Sequence, residues 1–221
     1  MINSINIVAT DIPDAWFQSL YHIMDHGRKY TIEHGSMVGE ERLELDFVTL
    51  TIKTPYKEPW DAMLPDIPPH LGIPNPVERG YVEQYLPYLM TNHKEPGEDY
   101  TYGERIHDQL TFWIAKLNHV RSTNQAILQV GRPEDYHLTD PPCLRHIDVK
   151  IQDDLLIFYP YFRSWDLWGG LPANLAGIAV LQKYMADNIE GVSQGPMLAS
   201  SKGLHIYGYA EELAKIRTCR N

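Results

Sequence analysis

Cys143 stands directly after two prolines, Pro141 and Pro142. Each proline fixes its own φ, so the chain reaches the thiol along a stiff path. A thiol held on a rigid turn suits a nucleophile, provided that a nearby cation favours the thiolate. Arg163 can be that cation if the segments on either side of a hairpin pair, because twenty residues leave room for a turn and two strands. A small buried hydrophobe is the other reading of a lone cysteine.

Two further strings carry chemistry. In Tyr161-Phe162-Arg163-Ser164-Trp165-Asp166 an arginine, a hydroxyl and a carboxylate follow a strand. A planar guanidinium beside an O–H donor suits a phosphate; an Arg163–Asp166 surface pair is the alternative. Gly169-Gly170-Leu171-Pro172-Ala173-Asn174-Leu175-Ala176 leads into an apolar helix. The Asn174 amide sets an acceptor beside donors, which matches one edge of a uracil ring. It is also a favoured N-cap residue type.

Other strings lack the context their chemistry needs. Gly191-Val192-Ser193-Gln194-Gly195 fits G-x-S-x-G, which requires a strand before it and a helix after. Here an acidic helix end precedes it, and a loop is expected. Pro142-Cys143 begins like the P-C-x-x-C of zinc deaminases, but His146 stands at the second cysteine and no H-x-E lies upstream. There is no P-loop and no dinucleotide glycine pattern. Ten histidines are scattered without ligand spacing, so no metal is expected.

The elements that must position these residues are readable in part. Asp14 to Asp25 reads as a helix: Asp11 can cap it, Pro13 suits its first turn, Gly27 follows its end, and Trp16, Leu20 and Ile23 form its apolar stripe. Leu43 to Thr54 reads as one strand. Proline-rich residues 55 to 76 read as a long packed connector, since Trp60, Leu64 and Ile67 need cover. Val77 to Thr91 is expected to be helical with a break or kink at Pro87, and Tyr102 to Leu117 is a second helix. Ala126 to Val130, His146 to Val149 and Leu155 to Tyr161 are strands. Asn174 to Ala186 is apolar on several faces, hence a buried helix. Leu204 to Tyr207 is a short apolar segment, and Glu211 to Arg217 a terminal helical turn or two. Strands alternating with helices indicate an α/β or α+β layered fold, a mixed sheet flanked by helices with one long buried helix, in a single domain over residues 1 to 221.

Composition narrows the function. Among 221 residues, Lys plus Arg total 19 against 29 Asp plus Glu, a formal net charge of −10. Such a chain is a poor general binder of DNA, whose affinity comes from cations on phosphates, yet a local arginine cluster can hold a small anion. The cysteines, Cys143 and Cys219, are far apart, and Met1 to Asp14 has no secretory n-region. A reducing, cytoplasmic setting is expected. No run of about 18 apolar residues exists to span a membrane.

Taken in order, Pro142-Cys143, Arg163-Ser164-Trp165-Asp166, Gly170-Leu171-Pro172-Ala173-Asn174-Leu175-Ala176 and His205-Ile206-Tyr207 resemble the thymidylate synthase family, in its short archaeal form. Tyr102-Gly103 and Asp108-Gln109 are similar to the family more loosely, and Glu83 resembles its active-site glutamate. The resemblance implies a homodimer that converts dUMP to dTMP with 5,10-methylenetetrahydrofolate or a tetrahydromethanopterin-type analogue as co-substrate. It implies that Cys143 adds to carbon 6 of uracil, that Arg163 and Ser164 hold phosphate, and that Arg163 also favours the thiolate. It gives Asn174 the uracil edge, His205 and Tyr207 the sugar hydroxyl, Asp166 the pterin, and Glu83 and Tyr102 the protons.

The chain departs from the family in places. Phe162 precedes the arginine where many members have glutamine, and Leu144 follows the cysteine where many have histidine. The paired arginines lent by the partner subunit fall at Asn124-Gln125, with Arg121 and Arg132 nearest. The N-terminal phosphate loop resembles Glu33-His34-Gly35-Ser36, with His34 for arginine and Arg28 or Arg42 as substitutes. The chain ends at Asn221 without the family's closing segment over the folate. Two alternatives follow: a pyrimidine nucleotide hydroxymethylase, for which a residue-174 aspartate would suit cytosine better, and a non-catalytic nucleotide-binding relative.

Overall fold

The computed structural model describes residues 2–35 and 37–220. Two mixed sheets and five helices share one core. The larger sheet has the order β1-β4-β9-β7-β6-β5, and the smaller β2-β3-β10-β8. The strands are β1 (Ser4–Ala9), β2 (Arg28–Thr31), β3 (Glu41–Leu45), β4 (Phe47–Ile52), β5 (Ile127–Gln129), β6 (Leu144–Gln152), β7 (Leu155–Phe162), β8 (Trp165–Asp166), β9 (Ser193–Ser201) and β10 (Leu204–Tyr207). The helices are α1 (Ile12–His26), α2 (Tyr81–Met90), α3 (Tyr102–Leu117), α4 (Gly170–Asp187) and α5 (Gly208–Thr218). The layered fold and the long buried helix match the expectation from sequence.

Helix α1 starts at its expected cap: Asp11 accepts from the Asp14 N–H at 2.9 Å. Trp16, Leu20 and Ile23 are fully buried. Helix α3 is capped by Thr101, which accepts from the Glu104 N–H at 3.0 Å. Helix α2 begins at Tyr81, after Gly80 in the left-handed region (φ 76°), so residues 77–80 lie outside the helix. It runs through Pro87 without ending there. The proline-rich connector is packed as expected, with Met63, Leu64, Ile67 and Ile73 buried.

Three expectations are corrected. Residues 43–54 form two strands in different sheets, β3 and β4, divided at Asp46. The buried positions are Leu43 and Leu45, then Val48, Leu50 and Ile52. A three-residue step between Leu45 and Val48 breaks the two-residue period, as a switch of sheet requires. The segment at Gly191–Gly195 is no loop throughout, because Ser193 opens β9. A helix precedes it and a strand follows, the reverse of a nucleophile elbow. Finally, α4 begins at Gly170, so Asn174 lies inside the helix and is not its cap.

Candidate active site

Cys143 is half-buried immediately before β6. Strands β6 and β7 pair antiparallel, with Leu144 opposite Phe162. That register extends by one bond, Arg163 N–H to Cys143 O at 2.9 Å. The pairing that would bring Arg163 to the thiol therefore forms. The guanidinium wraps the proline turn: Nε donates to Pro142 O at 3.2 Å, and Nη2 donates to Pro141 O and reaches Asp140 Oδ1 at 3.1 Å. The Arg163 partner is Asp140, not Asp166.

Burial pushes the Cys143 thiol above its ordinary pKa. Arg163 and Arg145 pull it down, and Asp140 pushes it further up. The Tyr102 hydroxyl accepts from the Leu144 N–H at 3.3 Å and so holds the residue after the thiol. Burial raises Tyr102 well above the ordinary tyrosine range, and Tyr100 is pushed up to about 12 for the same first reason.

The thiol opens on a cleft of about 300 Å³ lined by His34, Arg42, Cys143, Arg163, Ser164 and Tyr207, among others. Of the four candidate substitute arginines, Arg42 lines this cleft, beside Glu44 at 2.8 Å. Arg28 is paired to Asp46, Arg121 to Asp154, and Arg132 lies 3.8 Å from Glu104. Of the loop expected for phosphate, His34 lines the cleft, whereas Ser36 lies outside the described residues.

Strand β8 pairs parallel with β10, which sets His205 opposite Asp166. The His205 ring is buried, and its Nδ1–H donates to Gly203 O at 2.9 Å. A carbonyl only accepts, so the ring proton is on Nδ1 and Nε2 keeps its lone pair. Nε2 is buried and has no partner. Burial lowers the ring's pKa, which keeps it neutral. Asp166 spends its carboxylate on the start of α4, accepting from the N–H groups of Trp168 (3.2 Å), Gly169 (3.0 Å) and Gly170 (2.9 Å).

Between residues 171 and 180 every side chain except that of Asn174 is buried. Its Oδ1 accepts from the Trp165 indole N–H at 3.1 Å, and its Nδ2 donates to the Tyr85 hydroxyl at 3.0 Å. A second cavity, about 510 Å³, adjoins it and is lined by Val77, Tyr81, Gln84, Gly169, Gly170 and Asn174 among others.

The structure does not bring Glu83 into this cluster. It is exposed on α2. Two residues along a helix point to nearly opposite sides, and it is Tyr85 that meets Asn174. Tyr81, Tyr85 and Tyr88 form the α2 face toward the site, with successive ring centroids 6.3 and 5.9 Å apart. Sequence reasoning passed over Tyr85 and Trp165. Spacings of four and three along α2 could have found the tyrosines; nothing in the sequence marks the Trp165 N–H.

Fold and cleft together define a layered α/β protein with a thiol on a proline-stiffened turn, flanked by an arginine, and with an asparagine amide lining a second cavity. The thymidylate synthase family model matches residues 60–220, a span that includes Cys143, Arg163, Asn174 and Tyr207. The chain is 32% identical over 208 residues to the "Putative thymidylate synthase" of Methanosarcina barkeri, covering 91% of this chain and 88% of that one. The protein of the same name from Methanococcoides burtonii is 30% identical over 210 residues, covering 92% and 89%. The thymidylate synthase of Listeria monocytogenes is 29% identical over 119 residues, 53% of this chain and 37% of that one. The chain belongs to the thymidylate synthase family.

Proposed function

We propose that the chain converts dUMP to dTMP, with Cys143 as a covalent nucleophile, as one catalytic domain. The observation that carries this reading is the β6–β7 register, which sets Arg163 beside Cys143 on one cleft, while Asn174 lines a second cavity from the start of α4. Cys143 Sγ would form a bond to carbon 6 of the uracil, leaving carbon 5 electron-rich. Asn174 faces the base with an acceptor and donors. Tyr207 lines the cleft and is placed for the sugar hydroxyl; His205, two residues before it on β10, keeps a buried acceptor without a partner in Nε2. Arg163, Ser164 and Arg42 provide the cationic end for phosphate.

The reduced pterin supplies the one-carbon group and a hydride as co-substrate. The cavity between Tyr81 and Gly170 is suited to its flat ring, beside Asn174. Asp166 already serves the approach to α4 with both oxygens, so its part there is to fix the glycine turn that forms the cavity wall. Whether folate or a methanopterin analogue is native is a matter of side-by-side rates. Tyr102 and Tyr85, whose protons burial retains, replace Glu83 as the groups positioned to handle protons through water.

Incubation with dUMP and each pterin, followed by mass spectrometry of the nucleotide, tests the reading. A methylated base is expected. Cys143→Ala should reduce its formation by roughly 10⁴-fold or more. A hydroxymethylated base, or bound dUMP without product from either pterin, would overturn the reading.

A further inference from the structure

We infer that Trp165 sets the pyrimidine preference of the site by fixing which way the Asn174 amide faces. The inference rests on reading the cleft as a pyrimidine nucleotide site. An asparagine amide has nearly the same shape in either orientation, but a half-turn exchanges its acceptor and its donors. Uracil offers a donor at N3 and an acceptor at the 4-oxygen. Cytosine offers an acceptor at N3 and a donor at the 4-amino group. One orientation of the amide therefore reads uracil and the other reads cytosine. An amide free to turn would discriminate poorly between them.

The two neighbours of Asn174 differ in what they can decide. An indole N–H only donates, so it must meet the amide oxygen; the contact is 3.1 Å. The Tyr85 hydroxyl can donate or accept, so its 3.0 Å contact anchors the amide without fixing its polarity. Trp165 thus holds the key and Tyr85 the second anchor. Both are held firmly. The Trp165 ring is 2% exposed and stacks on Phe162 at 4.1 Å, with 4° between the planes. Its backbone N–H donates to Gly203 O at 2.9 Å. The Tyr85 ring packs over Gly177, where a Cβ would come within 2.6 Å of it. Trp165 acts through Asn174 and is a positioning residue. It stands between Ser164 and Asp166, so a residue outside the base contact would tune recognition of the base.

The test is the ratio of dUMP to dCMP affinity, measured by titration calorimetry for the full chain and for Trp165→Phe and Tyr85→Phe. Trp165→Phe should lower that ratio by about tenfold or more, because the amide can then turn to suit cytosine. Tyr85→Phe should lower it less, since the indole donor remains. A loss that is only structural would weaken both nucleotides and leave the ratio alone. If Trp165→Phe does not fold, Trp165 replaced by benzothienylalanine keeps the ring shape and puts sulfur in place of N–H. A folded variant with an unchanged ratio overturns the inference and leaves the dUMP reading intact. A wild-type chain that binds neither nucleotide overturns the site reading and the inference with it. Hydrogen exchange of the Trp165 indole proton in the free protein separates these cases: a protected proton shows that the lock exists regardless of ligand.

Discussion

At the scale of single residues, Cys143 sits between opposing influences. Burial raises its pKa, Arg163 and Arg145 lower it, and Asp140 raises it. Asp140 is also the ion-pair partner of Arg163 at 3.1 Å, so it acts on the thiol directly and through the arginine. Removing its charge should lower the pKa and increase the thiolate share at a given pH. In a Cys219→Ser background, which removes the exposed second thiol, Asp140→Asn should speed iodoacetamide labelling at pH 8 by several-fold, and Arg163→Gln should slow it, on the order of one pKa unit apart. The labelling rate of the unaltered chain should climb with pH, with its midpoint above the ordinary thiol value. Equal rates in the two variants would mean that neither charge governs the thiol. The thiol and its arginine were legible in the sequence because Pro141 and Pro142 stiffen one and hairpin spacing delivers the other. The amide lock was not, because the Trp165 N–H direction depends on the pairing of β8 with β10.

At the scale of elements, the position of Cys143 depends on the close approach of α2 and α3. Gly103, the second residue of α3, packs so tightly on the end of α2 that a Cβ there would lie 2.0 Å from Thr91 O and 2.7 Å from Thr91 N. These are backbone atoms and cannot rotate aside. Gly103→Ala should therefore part the two helices, costing about 1–3 kcal/mol by overpacking, although alanine is the better helix former. Tyr102 precedes this glycine and bonds Leu144 N–H, so the movement should reach the thiol. Urea unfolding checks the first effect and the labelling rate of Cys143 the second; undiminished stability would show that the contact is not tight. The Tyr102–Leu117 helix was read from the sequence with the bounds the structure gives it. Strands β1, β2, β8 and β9 were missed. The β9 sequence SQGPMLASS is short of β-branched and aromatic residues and contains Pro196, which argues against a central strand, yet it pairs with β4 and β7 on its two sides. Tertiary pairing overrides local propensity there. Glu83 drew attention because it is a carboxylate, but helical period puts Tyr81, Tyr85 and Tyr88 on one side, where Tyr85 meets Asn174.

At the scale of the whole molecule, the larger sheet presents a continuous row across its six strands. The registers place Asn6 beside Thr49, Thr49 beside Ser200, Ser200 beside Tyr161, Tyr161 beside His146 and His146 beside Gln129. Neighbouring positions Ile7, Leu50, Ala199, Phe162 and Ile147 are buried on the opposite face. The row itself is half-exposed or exposed, and a shallow cavity of about 620 Å³ runs along it. Its hydroxyls, amides and two aromatic rings carry little formal charge on a chain of net −10, which suits association of two copies about a two-fold axis. Among the described residues no helix is long and apolar enough to cross a membrane. A dimer would also explain a cleft with few cations of its own, since Arg121 and Arg132 lie outside it. Sedimentation equilibrium at micromolar concentration should give twice 25.5 kDa. Ser200→Arg would force a charge into the middle of the row, where desolvation is costly, and should give monomers with unchanged circular dichroism. If the partner lends phosphate contacts, those monomers should also lose dUMP affinity. A monomeric wild-type chain, or a Ser200→Arg dimer of unchanged strength, would refute this face as the interface and require that Arg42, Arg163 and Ser164 hold the phosphate unaided.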